Sequence, residues 1–213
     1  MLGDYAGDTL ISIPVDLVLD SSKALATLPG RLKTERLKTR YVGLTALLLL
    51  SERLAGNKSK YYDYIESLPK GIPSVLSWSA DELDELYKST TRRIKAQVSA
   101  VDQDFNTIQR LNLFPSESFT REAFFWAVGV VKAKSVYVKG LPEPVLAPGI
   151  DAITFDPFSS AEPFLTGAGV FGGKVLKVIS ERSYKQGEEV KISYGLKSSA
   201  ECIEDHELVP VST

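Results

Sequence analysis

The chain has 213 residues, with hydrophobic residues at 44% and charged residues at 24%, the proportions of an ordinary globular protein able to bury one good core. Its formal net charge of −2 gives no electrostatic footprint for nucleic acid or an anionic membrane surface. A single cysteine, Cys202, excludes an internal disulfide and a cysteine-rich zinc site, and the aliphatic run Leu47 to Leu50 is far shorter than the roughly 20 apolar residues of a membrane span.

Residues 8–19 read as a strand through Leu10, Ile11, Ile13, Val15, Leu17 and Val18, with Pro14 interrupting the run. Residues 33–56 read as a leucine-rich helix stopped at Gly56 and Asn57. Residues 60–68 are helical or turn-like and end at Pro69. Ser79 caps a short acidic helix through Tyr87, with Asp81 and Glu82 in the first turn, where the helix dipole favours carboxylates. Residues 89–113 predict a long helix, because Ile94, Val98, Val101, Phe105, Ile108 and Leu111 recur at three- and four-residue spacings. Ser118 or Thr120 caps another helix, which carries Phe124, Trp126, Val130 and Val131. These stripes are assigned to helix packing rather than to a cofactor.

From Gly140 onward the composition changes. Pro142, Pro144, Pro148, Gly149, Pro157 and Pro163 indicate loops and short strands, of which 174–180 and 189–194 are the clearest. Near the end, Gly187 supplies a turn, Val190, Ile192 and Tyr194 alternate with Lys191 and Ser193, and Gly195 stops the strand. These residues alone favour a hairpin with a core tyrosine and leave a site tyrosine as the alternative.

The segment from Gly187 to Gly195, continued by Lys197 and Ser198-Ser199-Ala200-Glu201, resembles the C-terminal signature of SET-domain lysine methyltransferases of the Rubisco large-subunit methyltransferase type. That family reads G-E-E/Q-V-x-I-S-Y-G, a basic residue and S-N-A-E, so Ser199 stands at the asparagine position. Four further stretches resemble the family in the same order: Ala6 to Pro14, Lys60 to Pro69, Ser77 to Leu83, and Phe119 to Ala127.

The resemblance implies an α+β fold, a SET-domain β core interrupted by a helical insertion. Residues 1–30 and 139–213 would form the two parts of the core and residues 31–138 the insertion, so residues 8–19 and 170–195 are expected to pack together. The family's G-x-G strand would precede Asp4 and its substrate-gripping lobe would follow Thr213; both are expected to be missing here. The implied activity is methyl transfer from S-adenosylmethionine to a protein lysine. Tyr194 would stand at the amine, with Lys134, Thr154, Phe155 and Ser199 around the cofactor and no metal.

Three departures bear on that site. Ala133 and Lys134 replace the family's S-R, and lysine keeps the charge but lacks arginine's bidentate fork. Leu146 to Phe155 matches L-x-P-x-x-D-x-x-N-H and keeps Asp151, but has Thr154 for asparagine and Phe155 for histidine. Weak or absent cofactor binding is therefore expected. The alternative is a catalytically degenerate SET-like subunit, an interaction module in a larger assembly such as the plastid transcription machinery built on the plastid-encoded RNA polymerase. Expected partners are a protein substrate or protein subunits, and the plastid stroma is the favoured compartment. For such partners, helix 41–54 and residues 203–211 are expected to expose apolar surface, while His206 reads as a surface or C-terminal helix residue.

Overall fold

A computed structural model describes residues 7–71, 75–79, 81–82, 88–156, 159–167 and 172–193. The chain divides into a β unit, described over residues 7–18 and 134–193, and a helical unit, described over residues 19–133.

In the β unit, Thr9–Pro14 forms β1, Thr154–Phe155 β2, Phe164–Gly167 β3, Lys174–Ile179 β4 and Lys191–Ile192 β5. The central strand β4 pairs antiparallel with both β1 and β3. Ile11 lies opposite Val178 and Ile13 opposite Leu176, so the early and the late strand segments pair in one sheet as expected. Leu176 and Val178 point inward, at the two-residue period of a strand with one buried face. They join Val18, Val136, Val145, Ile150 and Ile192 in the unit's core. Beside the sheet, Val136 bridges Val145 and Lys139 bridges Phe164. Gly140 turns the chain there at a φ of +97°, where a Cβ would lie 3.3 Å from the Leu165 Cβ. The expected strand over 8–19 is shorter in fact. It ends at Pro14, and Val15–Leu17 form a single 3-10 turn that Val18 closes by donating to the Val15 carbonyl.

The helical unit contains α1 (Ser21–Thr27), α2 (Tyr41–Ala55), α3 (Tyr62–Ser67), α4 (Lys88–Leu111) and α5 (Arg121–Lys134), the last of which runs one residue into the β unit. Asp20 caps α1 by accepting from the Lys23 N–H at 2.7 Å. The helix expected from residue 33 begins later, at Tyr41. Asp104 on α4 accepts from the Lys38 N–H, the Thr39 N–H and the Thr39 hydroxyl at 2.7, 2.8 and 2.6 Å. Those amides are thereby held in a loop, and Arg40 adopts a φ of +52° that no helix interior tolerates.

The stripe on α4 packs as expected: Ile94, Val101 and Ile108 are buried, and the Phe105 ring stacks on Phe119 with centroids 5.2 Å apart. Trp126 on α5 donates to the Pro69 carbonyl at 2.7 Å and carries the Arg53 guanidinium over its ring. Thr120 caps α5 through the Ala123 N–H, and Ser79 and Glu82 exchange the hydrogen bonds of a capping box. The leucine-rich patch expected to be exposed on α2 is instead interior: Ala46 to Leu50 are all buried, which leaves Leu54 as the exposed leucine of that helix. Residues 203–211 and His206 lie outside the described residues. Among the described residues no helix is long and apolar enough to cross a membrane.

Candidate active site

The strand β2 is set in place by the turn before it. Leu146, Ala147 and Ile150 are buried, and the Ile150 and Asp151 N–H groups both donate to the Ala147 carbonyl. The Asp151 carboxylate accepts the Gly149 N–H at 3.1 Å. Gly149 has a φ of +89°, and a Cβ there would sit 3.1 Å from the Ile11 Cδ1. The retained aspartate of this run therefore shapes the turn, through a local side-chain bond to the backbone two residues before it.

What the turn delivers is a short parallel pair. Thr154 lies opposite Lys191 and Phe155 opposite Ile192. The pair is reinforced from both sides: the Asp156 N–H donates to the Ile192 carbonyl at 2.9 Å, the Ser159 hydroxyl to the Lys191 carbonyl at 2.9 Å, and the Ser193 N–H to the Ala161 carbonyl at 2.9 Å. Ser193 is buried. The next residue, Tyr194, and Ser199 lie outside the described residues.

Of the remaining candidates, Thr154 is exposed and its hydroxyl donates to the Glu189 carboxylate. Phe155 is half-buried and packs against the core of the β unit. Lys134 is half-buried at the end of α5. The neighbouring Ser135 is buried, and its hydroxyl has no hydrogen-bond partner among the described residues. The structure thus brings Thr154 and Phe155 against the strand that runs into Tyr194, while Lys134 stands on a different element.

Beyond the expected residues, the loop after β4 closes over this pair. Glu181 accepts the Ser160 N–H at 2.7 Å and the Ser160 hydroxyl, and these bonds hold its carboxyl below the ordinary glutamate range. Arg182 pairs with Glu188 and likewise lowers that carboxyl, while burial pushes the Tyr184 phenol up. A cavity of about 360 Å³ opens between them, lined by Asp156, Ser159, Glu181, Arg182, Glu188 and Glu189. Glu188 and Glu189 belong to the strand signature, but their partners are set by the fold. Thr154 lies 35 residues from Glu189 and Ser160 lies 21 from Glu181. No local spacing announces either contact.

No family model matches the chain. Among solved structures, the SET domain of LSMT bound to lysine and AdoHcy superposes with a TM-score of 0.81 at 24% identity, covering 98% of this chain and 49% of that one. Rubisco LSMT bound to AdoMet gives 0.77 at 24%, with 98% and 48% covered. The chain has the fold of a SET domain. Its mixed helix and strand architecture is the fold expected from the paired signatures at its ends. By sequence the chain resembles S-adenosylmethionine-dependent protein-lysine N-methyltransferases. The chloroplastic [fructose-bisphosphate aldolase]-lysine N-methyltransferase of Arabidopsis thaliana is 32% identical over 178 residues, 77% of this chain and 36% of that protein. The ribosomal lysine N-methyltransferase set10 of Schizosaccharomyces pombe is 26% identical over 209 residues, 94% of this chain and 37% of that protein. The chloroplastic Rubisco large-subunit N-methyltransferase of Pisum sativum is 28% identical over 214 residues, 93% and 42%. The chain therefore spans well under half the length of these curated relatives.

Proposed function

We propose that this chain is the SET core of a protein-lysine N-methyltransferase, with residues 31–138 as an insertion into that core and a plastid protein as substrate. The observation that carries the reading is the β2–β5 pair, which sets Thr154 and Phe155 against Lys191 and Ile192, immediately ahead of Ser193 and Tyr194. In this reading Tyr194 positions the target amine, and Lys134, Thr154, Phe155 and Ser199 line the cofactor side. S-adenosylmethionine, when bound, supplies the methyl group. The chain's own contribution to such a displacement is alignment of a neutral amine and exclusion of water. Two of the three relatives named above are chloroplastic, which favours the plastid stroma.

The residues present fit the cofactor at one end. The Lys134 charge and the buried Ser135 hydroxyl, which has no partner among the described residues, suit a carboxylate. At β2 the fit is poorer, since Phe155 offers no polar side-chain atom and the Thr154 hydroxyl already donates its hydrogen bond to Glu189. Calorimetric titration with S-adenosylmethionine is the test. Weak binding by the chain, tightened at least about tenfold in the T154N/F155H variant by one or two regained hydrogen bonds, supports the reading. Methyl transfer to lysine that disappears in Y194F completes it.

A second reading rests on the same Phe155. A ring that packs on the core where the family carries a polar residue also suits a catalytically degenerate subunit, an interaction module within a protein assembly such as the plastid transcription machinery. Titrations that show no binding by either form would sink the enzyme and leave this module.

A further inference from the structure

Lys191 and Ser193 are not held by the β2–β5 pair alone. Ala161, whose carbonyl takes the Ser193 N–H, has its own N–H on the Ser159 hydroxyl oxygen at 3.2 Å, and that hydroxyl donates to the Lys191 carbonyl. Ser160, between them, is fastened by both its N–H and its hydroxyl to the Glu181 carboxylate. We infer that Glu181 is a positioning residue for the site. Its carboxylate holds residues 159–161 in the register that fixes β5 and the backbone of Ser193, one residue ahead of Tyr194.

This inference rests on the SET reading for the importance of Tyr194, but its physical content stands on the described residues. A carboxylate is the one side chain here that accepts the amide and the hydroxyl of Ser160 together as an anion, and charge-assisted bonds are about twice as strong as neutral ones. The remaining charged groups around Glu181 do not substitute for it. Arg182 is engaged by Glu188, and Asp156, Glu189 and Lys191 line the cavity on one side. Lys139 and Glu162 line a second cleft on the other, and Tyr184 stays neutral at working pH with its phenol pushed up. Because the Ser160 bonds hold Glu181 below the ordinary glutamate range, the register persists above that range. It is released as pH falls through the lowered value.

The experiment is an NMR titration of the amides of Ser160 and Ser193 in the whole 15N-labelled chain, run on the parent, E181Q and E181A, with circular dichroism reporting global fold. In the parent, both amides are expected to shift with one common midpoint below the ordinary glutamate value while the fold persists. In E181Q the neutral amide oxygen still accepts from Ser160, so Ser193 stays protected from exchange but the titration step is lost. In E181A both the step and the protection of Ser193 are lost. A Ser193 amide that fails to follow Ser160, that keeps its step in E181Q, or that moves only with global unfolding overturns the inference. Failure of methyl transfer with this relay intact would count against the proposed function alone. Failure of the relay with transfer intact would count against Glu181 alone.

Discussion

Asp104 in the helical unit and Glu181 in the β unit perform the same task in different media. Each is a carboxylate that reaches a distant segment and gathers an amide and a hydroxyl: Lys38 and Thr39 for Asp104, Ser160 for Glu181. Asp104 is 2% exposed, whereas Glu181 is exposed. Burial of Asp104 limits water as a competing partner, so its loss leaves part-buried donors with a poorer acceptor. Water can take over at Ser160 when Glu181 is lost. The helical unit thus clamps its loop with a carboxylate withdrawn from water, and the β unit clamps its own with one that water reaches.

The largest effect expected from breaking this comparison is Asp104→Ala. Two amides and a hydroxyl lose their acceptor, which costs about 3–5 kcal/mol of unfolding free energy at roughly 1–3 kcal/mol for each part-buried donor left unmet, the sum tempered by relaxation of the loop and by water. Denaturant unfolding measures it, and a loss under about 1 kcal/mol would show that water reaches Lys38 and Thr39 after all. Asp104→Asn keeps an acceptor and should fall between.

The second effect separates side-chain clamping from ordinary core packing. Leu176 is fully buried at the centre of β4, between β1 and β3. Leu176→Ala should cost about 2–5 kcal/mol, mostly through the cavity it leaves. It should also loosen the pairing of Ile13 with its partner strand, read as faster amide exchange along β1. A small loss of stability with unchanged exchange would argue that β1 is held by something other than this sheet.

Third comes pH. The Glu181 and Glu188 carboxyls are both held down, the first by Ser160 and the second by Arg182. For a carboxylate whose folded value is depressed, the stabilisation is complete above the unfolded value and is lost as pH falls through the folded one. The loop 181–189 should therefore hold through the range where ordinary glutamates protonate and loosen only in more acid solution. Amide exchange of Ser160 and Lys185, whose N–H groups these two carboxylates accept, follows it directly. Loosening that begins near neutrality would contradict the assignment.

The legible part of the chain was the part whose order is local. The α4 stripe from Ile94 to Leu111 predicted its helix because a period of 3.6 residues is written in consecutive residues. The late strand over Lys174–Ile179 was legible for the same reason at a period of two. The start of α2 was not, because what stops it at Tyr41 is Asp104, more than 60 residues onward. Helix α1 was missed although Asp20 before Ser21 was a usable cap signal; seven residues rich in serine and alanine carry little periodicity. At the candidate site, resemblance pointed to Thr154 and Phe155. Only the fold shows that the threonine serves Glu189 and the phenylalanine serves the core. A two-residue strand such as β2 has no period to read, and its partner is chosen by the turn at Gly149 and by Ser159 and Ser160.

The smallest expected effect is the most useful control on Glu181. Glu188→Gln removes the ion pair with Arg182 in the same loop, at a site open to water. Exposed pairs contribute little, because solvent screens the attraction and two long side chains must be held in one geometry. Arg182 also keeps a second partner, the Tyr184 ring, with its guanidinium 4.3 Å from the centroid. The Glu188→Gln variant should therefore melt indistinguishably from the parent and leave Ser193 protected. Glu181→Ala, one residue from Arg182, should unfasten it. If the two variants behave alike, the loop acts on β5 through its overall charge. If they differ as expected, the particular bonds from Ser160 to Glu181 set the register, and the contrast with Asp104 becomes one of burial alone.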